Sequence, residues 1–371
     1  MRTLPLKAKK PDYIFALIVI LLTFFGIVMI SSSSMVISFE KYGSNYHYVI
    51  RQLISLAVGI VSLFITYSID YRFWKKIAFW MFLMTVILLI LVFVPGIGHQ
   101  FGGAQRWIGY GKFIFQPSEI IKLSFIIYLA AWLDKKGEGI KAFLTGFIPF
   151  VVLIAVIGFL IMKQPDLGTM TVIMVTAAAM FFVSGADLLH LSLGLGALTA
   201  LTIVIIKAAP YRMQRFLVFL NQTNDTQGAA YHINQALLAI GTGGLWGLGF
   251  GQSRQKYLYL PQAPTDSIFA IIAEELGFIR AGLVLVAFLF LGYKGFQIAK
   301  NAPDNFAKLL AIGITGWILI QTFINIGSML NLLPMTGVPL PFISYGGSAL
   351  IVLLAAVGIM LNISKHSGEK I

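Results

Sequence analysis

Cysteine is absent from the 371 residues, which excludes disulfides, thiolate zinc sites and a thiol nucleophile. Charge is scarce as well. Asp, Glu, Lys and Arg make up 11% of the chain, against roughly 25% in a soluble domain. That is too little polar surface to cover a water-borne globule of this length. The histidines (His47, His99, His190, His232, His366) are dispersed and form no His-x-x-x-His pair. No P-loop occurs. The net charge is +13, yet the chain has no lysine block of the kind that tracks a nucleic-acid backbone. The cations lie scattered between apolar runs, which points to membrane topology and anionic lipid rather than DNA or RNA.

What is present is apolar: 58% hydrophobic residues and a mean hydropathy of +0.87. A bilayer span takes about 20 such residues. Hydropathy places spans near 12–33, 48–68, 75–95, 117–133, 141–162, 168–184, 187–206, 266–292, 307–330 and 346–363. The expected fold is all-α, a bundle of about ten transmembrane helices in a single domain over 1–371. A basic tail (1–11) precedes it, a long loop (207–265) joins the seventh and eighth spans, and a short tail (364–371) follows. The first apolar run is long enough to remain as a span rather than be cleaved. With the N-terminus inside, the cytoplasmic segments collect Arg2, Lys7, Lys9, Lys10, Arg72, Lys75, Lys76, Lys135, Lys136, Lys141, Lys294, Lys300, Lys308, Lys365 and Lys370. This positive-inside bias puts both termini in the cytoplasm.

The loops on the other side are dense in Gly, Pro, Trp and charge, so chemistry is expected at the extracytoplasmic face. The glycine-rich run from Gly241 to Gly251 lacks dinucleotide-binding spacing and follows a helix-like segment, so it reads as close backbone packing or a re-entrant loop. Ionisable groups near membrane depth are the functional candidates. Glu119 and Lys122, at i,i+3 on one helical face, pair either as a structural bridge or as part of a polar cavity. Asp266 follows Pro261, Gln262, Ala263, Pro264 and Thr265 at the mouth of the eighth span, as a helix cap or as a reactive carboxylate. Below it Ala270, Ala273 and Gly277 form a small-residue stripe. Glu274 and Glu275 lie deeper and need partners, with Arg280 a candidate. Arg106, Lys112, Arg212, Arg215 and Lys256 accompany Gly, Trp or Pro in loops and are suited to clamp a pyrophosphate. Trp107 is an interfacial anchor or a platform for a sugar face.

Six segments, in order, resemble the signatures of the SEDS family of peptidoglycan polymerases. They are Ala104-Gln105-Arg106-Trp107-Ile108, Phe115-Gln116-Pro117-Ser118-Glu119, Gln164-Pro165-Asp166-Leu167-Gly168-Thr169, Gly251 to Pro261, Thr265 to Phe278, and Pro339 to Ser348. The run Ser253-Arg254-Gln255-Lys256-Tyr257-Leu258-Tyr259-Leu260-Pro261 leans toward the cell-division branch of that family, with the elongation branch as the alternative. The chain departs from the pattern at Gln262, Pro264 and Ser267, where relatives carry Glu, His and an aromatic residue, and at Arg280, where they carry Gly.

The resemblance implies a glycosyltransferase of the bacterial cytoplasmic membrane. It would join lipid II, the undecaprenyl-pyrophosphate-linked disaccharide peptide, into glycan strands at the outer face. Its partners would be a class B penicillin-binding protein and other membrane proteins of the division machinery. Asp266 would be the essential carboxylate, Trp107 a required residue, and Glu119 and Lys122 would line the central cavity. Arg106, Asp166, Glu274 and Ser344, inside the signatures, fall to the substrate-binding surface. Arg212, Arg215 and Lys256 are chosen for the leaving pyrophosphate on charge and loop position alone. Such an enzyme inverts the sugar, with Asp266 as general base. A divalent cation, Mg2+ or Mn2+, is the one auxiliary such a leaving group invites. The rival readings are a lipid II flippase and a non-catalytic scaffold.

Overall fold

The computed structural model describes residues 10–367 except 102–103, 111–112, 188, 191, 195, 197–212, 214–216 and 221–228. The helices are α1 (Tyr13–Tyr42), α2 (His47–Ser68), α3 (Tyr71–Leu91), α4 (Pro117–Lys136), α5 (Ile148–Lys163), α6 (Leu167–Val183), α7 (Ala229–Gly243), α8 (Ile268–Lys300), α9 (Asn305–Met329) and α10 (Gly347–Lys365). A π turn, Phe143–Phe147, extends α5 at its start. The fold is an all-α membrane bundle. Among the described residues, 7 helices are long and apolar enough to cross a bilayer: α1, α2, α3, α5 with its π turn, α8, α9 and α10. Helix α4 carries Glu119, Lys122 and Asp134 within its length, and α6 is short at 17 residues. The expected span 187–206 and the start of the long loop lie largely outside the described residues. Further along that loop, α7 covers the segment read as helix-like.

The helices differ in what covers them. In α9 and α10, 72% of the apolar window is buried inside the bundle, against 17% in α2 and α3, so α9 and α10 form the centre and α2 and α3 the rim. Helix α1 buries Phe15, Ile18, Val19, Leu22, Gly26, Met29, Ile30 and Ser33, one face at helical spacing. Its other face, with Leu17, Ile20, Leu21 and Phe24 exposed, is equally apolar, as a lipid-facing surface requires. Small residues set the closest crossings. A Cβ on Gly358 of α10 would lie 2.1 Å from Thr66 Oγ1 of α2, and that hydroxyl donates to the Ala355 carbonyl at 2.9 Å.

Helices α1 and α8 touch at two polar levels. At one, Lys294 Nζ meets Asp12 Oδ2 at 3.4 Å. At the other, Ser32 Oγ donates to Glu275 Oε1 at 2.7 Å. About 20 residues separate the two levels in each helix, or about 30 Å at 1.5 Å per residue, the thickness of a hydrocarbon core. Both helices are longer than that: α1 runs on past the Ser32–Glu275 level to Tyr42, beyond the span read to 33, and α8 runs on past the Lys294–Asp12 level to Lys300, beyond the span read to 292.

One element was not expected. Between α3 and α4 lies an antiparallel sheet of three strands, β1 (Gly98–Phe101), β2 (Ala104–Tyr110) and β3 (Phe113–Phe115), in the order β1-β2-β3. Its register pairs His99 with Trp107 and Ile108 with Phe115. Strands this short carry too little alternation to stand out in a Gly-rich sequence.

Candidate functional site

Helix α8 does not run straight. Gly277 sits at φ 81°, ψ 172°, and this non-helical residue splits off a short first segment that begins just after Asp266. Residues 244–249 lie against the break. The Leu248 and Gly249 amides donate to the Glu274 and Glu275 carbonyls at 3.0 Å each, and the Phe278 amide donates to the Gly244 carbonyl at 2.8 Å. Backbones approach this closely only because Cβ atoms are missing. A Cβ on Gly247 would fall 2.3 Å from the Glu275 carbonyl oxygen, and one on Gly277 2.3 Å from the Gly247 nitrogen. The glycine-rich run therefore packs backbone on backbone, and Ala270, Ala273 and Gly277 are all buried.

Glu274 and Glu275 secure the loop that follows. Glu274 accepts from the Ser253 hydroxyl and, at 3.0 Å, from the Arg254 amide. Glu275 pairs with Lys256 Nζ at 3.1 Å, and Lys256 also reaches Ser32 Oγ at 3.2 Å. Lys256 is 4% exposed and Glu275 0%. Arg280, considered as the partner of these glutamates, instead donates to the Trp246 carbonyl at 3.3 Å. Lys256, chosen for a leaving pyrophosphate, is held inside this latch, because a buried carboxylate draws in the nearest cation.

A second buried group lies on α4 and α9. Lys122 Nζ stands 2.8 Å from Glu119 Oε2 and donates to Gln321 Oε1 at 3.0 Å, with the Trp317 ring centroid 5.2 Å away. Gln321 Oε1 also accepts from Trp317 Nε1 at 2.7 Å, and Gln321 Nε2 donates to the Pro339 carbonyl at 2.8 Å. One turn further along α9, Asn325 Nδ2 donates to the Val338 and Asp266 carbonyls at 2.7 Å each. Trp317, Gln321 and Asn325 thus form a polar stripe at i, i+4, i+8 that joins the Glu119–Lys122 pair to Asp266. Sequence reading missed Gln321 and Asn325. Their signal was two amides at helical spacing in an apolar segment.

Asp266 is half-buried, about two turns beyond Glu275 on the side away from Lys294. Thr265 Oγ1 donates to its Oδ1 at 3.0 Å. Its neighbour Ser267 hydrogen-bonds His232 Nε2 at 2.6 Å and the Pro261 carbonyl at 2.9 Å, so α7 braces the turn. The loop 336–346 closes the other side. The Tyr345 amide donates to the Pro264 carbonyl at 2.8 Å, and a Cβ on Gly337 would lie 3.5 Å from Asp266 Oδ2. Ser344 Oγ accepts from the Leu340 amide at 2.8 Å and shapes that loop. From α2, Gln52 grips it by the Ser344 carbonyl at 3.4 Å and the Gly346 amide at 3.2 Å. Burial pushes the Tyr345 phenol up, and the Arg51 guanidinium beside it pulls in the opposite direction.

Two sequence signatures prove to be one structural unit. Arg106 Nε donates to the Gln164 carbonyl at 2.8 Å, and its Nη1 lies 3.7 Å from Asp166 Oδ2. Asp166 caps α6 by accepting from the Thr169 amide at 3.0 Å. Gly168 packs on Val338, whose Cγ2 would be 2.2 Å from an added Cβ. The chain of contact runs from Arg106 through Asp166 and Gly168 to the loop beside Asp266. Trp107 is half-buried on β2 next to Arg106. Arg212, Arg215 and Lys112 lie outside the described residues. Among the described residues no three His, Asp or Glu side chains converge as a metal site.

Residues 12–369 match the family described as cell cycle protein, FtsW/RodA/SpoVE. The chain is 42% identical to stage V sporulation protein E of Bacillus subtilis, over 97% of this chain and 99% of that one. It is 41% identical to the probable peptidoglycan glycosyltransferase FtsW of Geobacter metallireducens, over 96% and 95%. Among solved structures it is similar, at TM-score 0.80 and 26% identity, to a chain of a peptidoglycan synthase complex that coordinates polymerization and crosslinking, covering 97% of this chain and 99% of that chain. It is also similar to the rod shape determining protein RodA of Thermus thermophilus, at TM-score 0.71 and 26% identity, covering 96% and 98%.

Proposed function

From membership in the FtsW/RodA/SpoVE family of cell cycle proteins, to which this chain belongs, we propose that it polymerises lipid II at the outer face of the cytoplasmic membrane with Asp266 as general base. The protein is a multi-pass membrane peptidoglycan glycosyltransferase. In the reaction, the acceptor sugar's 4-hydroxyl oxygen attacks the donor's anomeric carbon. The bond from that carbon to the pyrophosphate oxygen breaks, the configuration inverts, and the hydroxyl proton passes to the Asp266 carboxylate. A sugar hydroxyl is a far weaker acid than a carboxylic acid, so proton transfer accompanies attack. The leaving polyprenyl pyrophosphate takes up the displaced electron pair.

The observation that carries this reading is the contrast in burial. Asp266 is half-buried at a meeting of loops, whereas Glu119, Glu274 and Glu275 are held in buried pairs and hydrogen bonds. The two polar contacts between α1 and α8 support the location, since Asp266 lies beyond the Ser32–Glu275 level on the side away from Lys294. The positive-inside bias supports reading that side as extracytoplasmic. Arg212 and Arg215, and a divalent cation carried with the pyrophosphate, are the candidates for leaving-group charge. A class B penicillin-binding protein is the proposed partner, on the likeness to a synthase complex that couples polymerization to crosslinking. A division-type role fits the FtsW relatives.

The test is incubation of the purified protein with lipid II, with and without its cognate transpeptidase. Asp266→Asn is expected to lose glycan synthesis by at least about 10³-fold, or about 4 kcal/mol in the barrier, with an unchanged melting temperature. Synthesis at the wild-type rate would remove Asp266 as the base. Translocation of lipid II by the Asp266→Asn protein would favour the flippase, and loss of wild-type activity on chelation would establish the cation.

A further inference from the structure

Asn325 lies at the far end of the α9 polar stripe and is 0% exposed. Its Nδ2 stands 2.7 Å from two carbonyl oxygens, those of Asp266 and Val338. Two acceptors at that distance fix the amide's orientation, because a flipped amide would set oxygen against oxygen. Its Oδ1 finds no donor among the described residues. A buried acceptor left unsatisfied is costly, so what this side chain contributes is its two donors.

The two carbonyls belong to the two walls of the site. One is the main chain of Asp266 itself. The other belongs to the residue after Gly337, whose missing Cβ leaves Asp266 Oδ2 room at 3.5 Å. Gly337 has φ 68°, a backbone that a side chain resists. One side-chain amide therefore bridges the carboxylate's own backbone and the 337–338 backbone facing it, beside the main-chain bond from the Tyr345 amide to the Pro264 carbonyl. The walls have little regular structure of their own. Gln262 and Phe342 also take positive φ, 54° and 63°, 261–266 are turns, and 337–346 are irregular backbone and turn rather than helix or strand.

We propose that Asn325 and Gly337 are positioning residues for the polymerase reaction. Asn325 ties the Asp266 turn to the 337–338 backbone, and Gly337 keeps the space beside the carboxylate open for the acceptor sugar's hydroxyl. This rests on the reading of Asp266 as the base.

The test compares Asn325→Asp, Gly337→Ala, their combination, Asp266→Asn and Thr322→Val. Asn325→Asp is nearly isosteric but cannot donate twice. Thr322→Val removes a buried hydroxyl one turn away that serves only its own helix, donating to the Ile318 carbonyl at 2.8 Å. Purified proteins are assayed for kcat and KM on lipid II and for thermal unfolding. Asn325→Asp and Gly337→Ala are each expected to lower kcat by about 10²-fold, the scale of an ångström misplacement. KM is expected to stay within about threefold; Asn325→Asp, which sets an oxygen against the two carbonyls, is expected to melt lower, and Gly337→Ala to shift melting no more than Thr322→Val does. The combination is expected to cost less than the product of the two, since both act on one distance. Should Asn325→Asp fail to fold, Gly337→Ala carries the test alone. Both variants within about threefold of wild-type kcat, beside an inactive Asp266→Asn, would overturn the positioning role and leave the base intact. So would losses of kcat that track melting temperature as in Thr322→Val. An active Asp266→Asn would remove both.

Discussion

Three carboxylates fall within ten positions of one another at the start of α8, and their surroundings differ. Glu274 and Glu275 are 1% and 0% exposed and bind the loop 244–256 through Ser253, the Arg254 amide and Lys256. Asp266 is half-buried, held by Thr265 and by contacts to its own backbone. Glutamates enclosed with a cation and hydroxyl donors act as fasteners. A carboxylate half-buried at the edge of the bundle, its main chain braced, is the one proposed for the reaction.

That contrast can be broken in several ways. The largest effect beyond Asp266 itself is expected at the latch. Lys256→Met leaves Glu275 buried without its cation, and about 3–5 kcal/mol of stability should be lost in detergent melts. Adding Glu275→Leu should recover most of it, since an apolar pair replaces a buried ion pair at little cost. Unchanged melting with abolished synthesis would move Lys256 from the fastener to the substrate side. Lys122→Met comes next, at about 3 kcal/mol, since it leaves Glu119 buried without its cation. A loss of synthesis without loss of stability there would give the Glu119–Lys122 pair a direct part in a cavity. The smallest effect is expected at Arg106→Gln, which removes charge-assisted bonds to the 164–166 turn and should cost about 1–3 kcal/mol. A drop in lipid II affinity exceeding the change in melting would place Arg106 at the substrate as well.

How much was legible follows from the residues. Pro117 at the start of α4 and the apolar runs located where the helices begin, because hydropathy and helix-starting chemistry are local, whereas the far ends of α1 and α8, at Tyr42 and Lys300, lie well past the apolar runs. The Glu119–Lys122 pair was legible from its i,i+3 spacing. The Lys256–Glu275–Ser32 cluster was not, since its members are separated by 19 and 224 positions in sequence. Neither was the docking of Arg106 on the 164–166 turn, at a separation of 58. Asn325 was passed over because an amide in an apolar helix gives no sign of which carbonyl it holds. The short sheet went unread because its strands of 4, 7 and 3 residues lie among glycines.

The sequence by itself determined that this chain lives in a membrane, that it is built from helices, where most of those helices run, and which side chains are too polar to sit there idle. Those are consequences of transfer free energy, summed residue by residue along the chain. Only the tertiary structure decided which carboxylates are enclosed in the bundle and which is half-buried where loops meet. Burial and pairing belong to neighbours brought together by packing, and the order of residues along the chain does not contain them.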